Sequence, residues 1–302
     1  MALDQHAHDR FFKEAFSRPD VVADFMQAYL PATFIAQLRF DTLTRLHESH
    51  VGENLSEHFV DMLYAAEFGN HSLTIALLLE HKSYVEPYPH FQLNQYLLNY
   101  WQSQLRQSQP LRPVVTIVIY HGAGNWKNRP MRSYFNRLPI ELVNSIPDFH
   151  YYLIDLNERN VSQKMELFRS NYAKLTAGLL ATIRNKLRLV AMLESLSTVL
   201  DELAGDTAGT EFIGTGLLYV SLRSGLKKSE IIAIFHKISL KNRQKVMNAY
   251  EEWVEEGVEK ATFQHLRSML RLGIDEKTIA AILELPLKKV RAYIAQIQEQ
   301  SK

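Results

Sequence analysis

Six apolar residues, Leu73, Ile75, Ala76, Leu77, Leu78 and Leu79, stand in one short run that ends in Glu80-His81-Lys82. Side chains alternate along a strand, so such a run is apolar on both faces and needs cover on each side. That demand excludes a sheet with one face in water. The flanking segments agree with it. Phe40 to His50 and His58 to Phe68 alternate, and Gly69-Asn70 makes a turn before Ser72–Lys82, which predicts a β-hairpin. Helical spacing precedes this block, from Asp9 to Leu30, with Phe11, Phe12, Ala15 and Phe16 on one face and a second start near Pro19. It returns from His90 to Gln107, with Leu93, Leu97, Tyr100 and Trp101 on the inner face. Strands follow at Val114–Tyr120 and Tyr151–Leu156. The order αβββαβ predicts an α/β core with a mixed sheet, the crossover helix supplying a parallel neighbour.

After Asn157 the strand signals stop, and helices separated by Gly205, Gly209, Gly214, Gly225, Gly257 and Gly273 fill the rest. We divide the chain into an α/β unit over 1–157, a helical region over 158–257 and a small unit over 258–302. The acidic stretch Glu251 to Gly257 is the candidate joint before the last unit. In it Asp275 caps a short helix, Glu284-Leu285-Pro286 turns, and a second helix carries Lys288, Lys289 and Arg291, a helix-turn-helix shape.

Composition removes several classes. There is no cysteine, hence no disulfide framework, thiol nucleophile or thiolate zinc site. Lys plus Arg total 34 against 33 Asp plus Glu, so any nucleic-acid surface is local. The start lacks a secretory pattern, and no apolar run approaches the ~20 residues of a membrane helix. The expectation is a cytoplasmic protein without membrane contact.

Asp61 stands among Phe59, Val60, Met62 and Leu63, an apolar context for a carboxylate. Glu80 and Lys82 point to one face of their strand and His81 to the other. If the hairpin closes at Gly69-Asn70, Asp61 and Glu80 face each other. Two converging carboxylates repel, and a divalent cation, Mg²⁺ by its preference for hard oxygen, neutralises them. A neighbouring ammonium then suits phosphodiester hydrolysis. The same residues also read as strand-end charges in water, with Lys82 pairing to one of them.

Asp61…Glu80-His81-Lys82 in this element order resembles the PD-(D/E)xK phosphodiesterases. More narrowly, the chain resembles the Rpn (recombination-promoting nuclease)/putative transposase family. The likeness is carried by His8-Asp9…Phe12-Lys13…Phe16, Val60-Asp61-Met62-Leu63-Tyr64, Leu78-Leu79-Glu80-His81-Lys82-Ser83, Val118-Ile119-Tyr120-His121-Gly122 and Asp148 to Leu156. It covers residues 6–156 well and the helical remainder loosely. It implies a restriction-endonuclease-like αβββαβ core and a metal-dependent DNA endonuclease linked to recombination or mobile elements. Asp61 and Glu80 would be the metal ligands and Lys82 the motif lysine. Val60 stands where the superfamily's motif has proline, and the proline is not a ligand. The alternative of a different class is a catalytically inactive DNA-binding or regulatory protein of the same fold.

Gln92 and Tyr96, one helical turn apart, resemble a Q-x-x-x-Y element beside such sites. Glu14 on the first helix is an auxiliary acid candidate. For nucleic-acid contact the candidates are Trp126, Lys127 and Arg129 in the Gly-rich loop, by base stacking and phosphate contact, with Lys288, Lys289 and Arg291 at the other end. His6 and His8, with Asp4 and Asp9, read as a tail before a helix cap, and His121 as a turn residue. The partner is DNA, and cutting both strands makes a homodimer a further candidate.

Overall fold

A computed structural model describes residues 10–46, 62–69, 73–237, 241–271, 273–283 and 285–299, and of 73–81, 237, 249, 252–261, 263–265 and 298–299 the backbone alone. Two short helices open the chain, α1 over 10–16 and α2 over Pro19–Tyr29, followed by the single turn α3, Ala32–Ile35. Pro19 opens α2 because its missing N–H is no loss in a first turn. Strands β1 (Leu38–Arg45), β2 (Met62–Phe68) and β3 (Leu73–Lys82) come next. The helix α4 (Pro89–Arg106) crosses to β4 (Val114–Tyr120), and β5 (Tyr151–Asp155) follows a long loop with two 3-10 turns.

The five strands lie in the order β1-β2-β3-β4-β5. The first two pairings are antiparallel and the last two parallel, as the expected hairpin and crossover require. Between β2 and β3 the ladder runs from Met62↔Leu79 to Phe68↔Leu73. Gly69 closes it at φ +73°, a left-handed turn position that glycine adopts without strain. The chain is thus α/β, its sheet mixed and its C-terminal part helical.

Both faces of the sheet are covered. On one lie Leu63, Val118, Tyr120 and Tyr151, packed with Leu93, Tyr96, Tyr100 and Trp126. On the other, Met62, Tyr64, Ala66, Ile117, Ile119 and Ile154 share one core with α1, α2 and the helical half. Tyr64 ties the layers by donating its hydroxyl to the Phe16 carbonyl at 2.6 Å. Phe16 meets Phe12 at 4.4 Å and Phe25 at 4.9 Å. Full burial of each such ring contributes about 1.5–3 kcal/mol.

That second core crosses position 157 without a break. It is completed by α5 (Glu158–Lys164), α6 (Asn171–Thr182), α7 (Lys186–Ser195), α8 (Ser197–Leu203), α9 (Thr207–Arg223) and α10 (Lys228–Lys237). The buried Asp24 carboxylate accepts the N–H groups of Arg169 (2.7 Å) and Ser170 (2.6 Å) and so fixes the start of α6 to α2.

Two expectations are corrected here. Gly214 lies inside α9 and Gly257 inside α11 (Arg243–Arg271), so neither ends a helix. The acidic stretch 251–257 is likewise continuous helix rather than a joint. The chain then ends in α12 (Glu276–Ile282) and α13 (Leu287–Glu299), which with the end of α11 enclose a small core of Leu266, Ile279, Val290 and Tyr293. Asp275 caps α12 as expected, accepting from Lys277 N–H at 3.0 Å and Thr278 N–H at 3.1 Å. Among the described residues no helix is long and apolar enough to cross a membrane.

Candidate active site

Lys82 is the last residue of β3 and pairs in parallel register with Tyr120, as Glu80 pairs with Val118. Val118 and Tyr120 face α4, and Lys82 turns to that same side. Lys82 is 8% exposed, and its ammonium donates to Gln92 Oε1 at 2.7 Å. The other end of that amide donates to the Tyr96 hydroxyl. Proline in the first turn of α4 sets its start, and the four-residue spacing brings Gln92 and Tyr96 onto one helix face. Removing an ammonium from water is costly unless its N–H groups are bonded, and a charge-assisted bond to an amide oxygen offsets part of that. The ammonium also stands 5.6 Å from the Tyr84 ring centre. Lys82, Gln92 and Tyr96 therefore form one hydrogen-bonded chain.

The strand ends are held from the opposite layer. His121 N–H donates to the Lys82 carbonyl at 3.1 Å, and His121 itself is buried. Arg184, just past α6, donates to the His121 carbonyl and, at 3.1 Å, to that of Ser83. Its burial draws the guanidinium below its usual pKa. No sequence signal marks Arg184, since only the tertiary fold brings it there.

Asp61 lies outside the described residues, as do His6, His8, Asp4 and Asp9; of Glu80 and His81 only the backbone is described. Glu14 is half-buried, accepts from Thr215 Oγ1 at 3.0 Å on α9, and has its carboxyl pKa raised mainly by burial. Its partner thus belongs to the layer opposite α4. Among the described residues no three His, Asp or Glu side chains gather as a metal site.

Trp126 is a correction. It is 5% exposed, its indole N–H donates to the Tyr151 hydroxyl at 3.2 Å, and its ring stands edge-on to Tyr120 at 5.2 Å. It is a core residue and cannot stack on a base. Lys127 and Arg129 are exposed, and Arg129 donates to the Pro87 carbonyl at 3.1 Å. In the terminal unit Lys288 is exposed and the Lys289 ammonium is 5.7 Å from the Tyr293 ring centre. Arg291 is occupied by both Glu276 oxygens, with Nε at 3.0 Å from each.

His90, at the start of α4, is buried, its Nδ1 2.6 Å from the Tyr134 hydroxyl. Burial holds its pKa below the ordinary histidine value. The unfolded chain then binds the proton more readily, so this contribution to stability is complete above about pH 6.5 and is lost as pH falls through the folded value. Chemical denaturation between pH 7.5 and 5 (about the histidine range) should show the decline, and His90→Gln should flatten it. An unchanged slope in the variant would assign the pH dependence elsewhere.

The profile of the family described as "Putative transposase, YhgA-like" matches residues 6–210. The "Recombination-promoting nuclease RpnC" of Escherichia coli (strain K12) is 23% identical over 300 residues, spanning 95% of this chain and 96% of that protein. "Recombination-promoting nuclease RpnA" of the same organism is 29% identical over 116 residues, 38% of this chain and 40% of that one. No solved structure gives a significant match. With more than half of its length matched by that profile, the chain belongs to the YhgA-like putative transposase family.

Proposed function

We propose that this protein is a metal-dependent DNA endonuclease acting in recombination, with a restriction-endonuclease-like αβββαβ core. The observation that carries the reading is the buried Lys82 ammonium, bonded to Gln92 at the end of the central strand two residues past Glu80. The relatives' names support nuclease chemistry, and the β2–β3 ladder supports the metal pair. The sequence spacing about Gly69-Asn70, which predicts Asp61 and Glu80 facing each other, adds to that support.

Asp61 and Glu80 fit Mg²⁺ by donor type, since hard carboxylate oxygens are what that ion takes. A divalent cation there would activate water and offset charge on the scissile phosphate. Gln92 and Tyr96 orient the Lys82 ammonium, which adds charge stabilisation where the phosphate becomes more negative. Lys288 and Lys289 at the start of α13 are proposed phosphate contacts.

Supercoiled plasmid incubated with the purified protein should be nicked with Mg²⁺ and left intact with EDTA. A protein that retards the plasmid in gels but leaves it supercoiled with every divalent cation would be a DNA-binding protein instead.

A further inference from the structure

The loop from Lys82 to α4 and the first turn of that helix display aromatic rings that the core does not use. Tyr84 is 57% exposed, Tyr88 49% and Phe91 54%. Tyr134, from the 3-10 turn Met131–Tyr134, closes the group. Its ring centre lies 5.1 Å from that of Tyr88, nearly perpendicular, and 6.0 Å from that of Phe91; Tyr88 and Phe91 are 6.1 Å apart. From below, buried His90 pins the Tyr134 hydroxyl while packing edge-on against Phe149 and Tyr151. From the side, the Arg129 guanidinium stands 4.7 Å from the Tyr134 ring centre. The rings are therefore fixed in place yet open to solvent.

Next to them lies a cleft of about 640 Å³ whose lining includes Asn128, Arg129, Arg132, Asp148 and His150, within the range of about 300–1,000 Å³ typical of small-ligand sites. From Gly122 to Ile140 the chain carries four cations, Lys127, Arg129, Arg132 and Arg137, and no acid. The nearby acids are engaged: Asp148 accepts from Met131 N–H at 3.1 Å and Glu86 from Tyr88 N–H at 3.2 Å. Exposed rings beside cations that outnumber the neighbouring acids, Asp148 and Glu86, favour an occupant that is flat, apolar and anionic at once. A nucleotide has that chemistry, a base to stack and a phosphate to pair. In a duplex the base faces are already stacked, so only an unpaired nucleotide offers one.

We infer that Tyr88, Phe91 and Tyr134, with Arg129 and Arg132, form a stacking platform for an unpaired nucleotide of a DNA substrate. The inference rests on DNA being the substrate, as proposed above. It narrows the substrate class to DNA with a single-stranded segment beside the position that Lys82 serves. It also moves the aromatic role expected of Trp126 onto residues of the preceding loop and helix.

Fluorescence anisotropy with labelled oligothymidylate and with a blunt duplex of equal length, in EDTA, tests it on the full chain without cleavage. The parent should prefer the single strand. Tyr88→Ala/Phe91→Ala should weaken that complex about tenfold and change duplex affinity little, while Tyr88→Trp/Phe91→Trp should retain it. Arg132→Gln should reduce the salt dependence of single-strand binding. Equal single-strand affinity in a folded alanine double variant would overturn the platform, as would an equal loss for both DNAs. A change in sedimentation with no change in DNA binding would show that the rings cover another protein surface. These readings hold whether or not the plasmid is cut, so the platform and the nuclease proposal fail separately.

Discussion

Lys82→Ala is expected to lower single-turnover cleavage about 100-fold, equivalent to about 3 kcal/mol of transition-state stabilisation, with DNA affinity little changed. The ammonium is held by Gln92 on a buried residue, where a charge acts more strongly than at an exposed site and needs no reorganisation as the reaction proceeds. Lys82→Gln should be milder, since an amide still orients water and still bonds Gln92. If the ammonium serves only to fasten β3 to α4, Lys82→Ala will lower the melting temperature and leave the rate per folded molecule unchanged. Measuring both quantities on one preparation separates a chemical role from a fastening one.

Replacing either proposed ligand should cost more. Asp61→Asn or Glu80→Gln removes the charge that holds the cation, and cleavage should fall on the order of 10³-fold or more, because a metal contributes several kcal/mol to phosphate chemistry. Cleavage is not the only readout. Mg²⁺ at a hundredfold excess over its Kd should stabilise the parent by about 2.7 kcal/mol, seen as a raised Tm, and either variant should lose that increment. In EDTA the variants should be as stable as the parent or more so, since one of two mutually repelling carboxylates is gone. A parent whose Tm ignores Mg²⁺ would remove the pair as ligands.

The parts of the molecule legible in sequence were those set by local periodicity. The run ending at Lys82 is a central strand because apolar residues on both faces leave no alternative, and Gly69 marks its hairpin. Gln92 and Tyr96 meet one partner because helical spacing is fixed by the backbone. What escaped depends on neighbours remote in the chain. Trp126, in a loop rich in glycine and charge, is drawn inward by the Tyr151 hydroxyl and the Tyr120 ring. Arg184 reaches the strand ends across a distance in sequence that no motif spans. Glycines were misread as breaks because some serve close packing. A Cβ on Gly209 would stand 1.9 Å from the Leu203 carbonyl oxygen, so the residue permits an approach rather than a stop.

The core that crosses position 157 decides which parts of this chain are exchangeable. The terminal unit encloses its own small core of Leu266, Ile279, Val290 and Tyr293, so a different hairpin could replace it at little cost to the rest. The helices from α6 to α9 have no such freedom, because their buried residues belong to the same core as Met62, Tyr64, Ile117, Ile119 and Ile154 of the sheet. A chain ending at Asn157 would turn Ile117, Ile119 and Ile154 toward water, an apolar surface of the kind that draws chaperones and neighbouring chains. The α/β half of such a protein can be inherited only together with its helical half, while its tail can be traded.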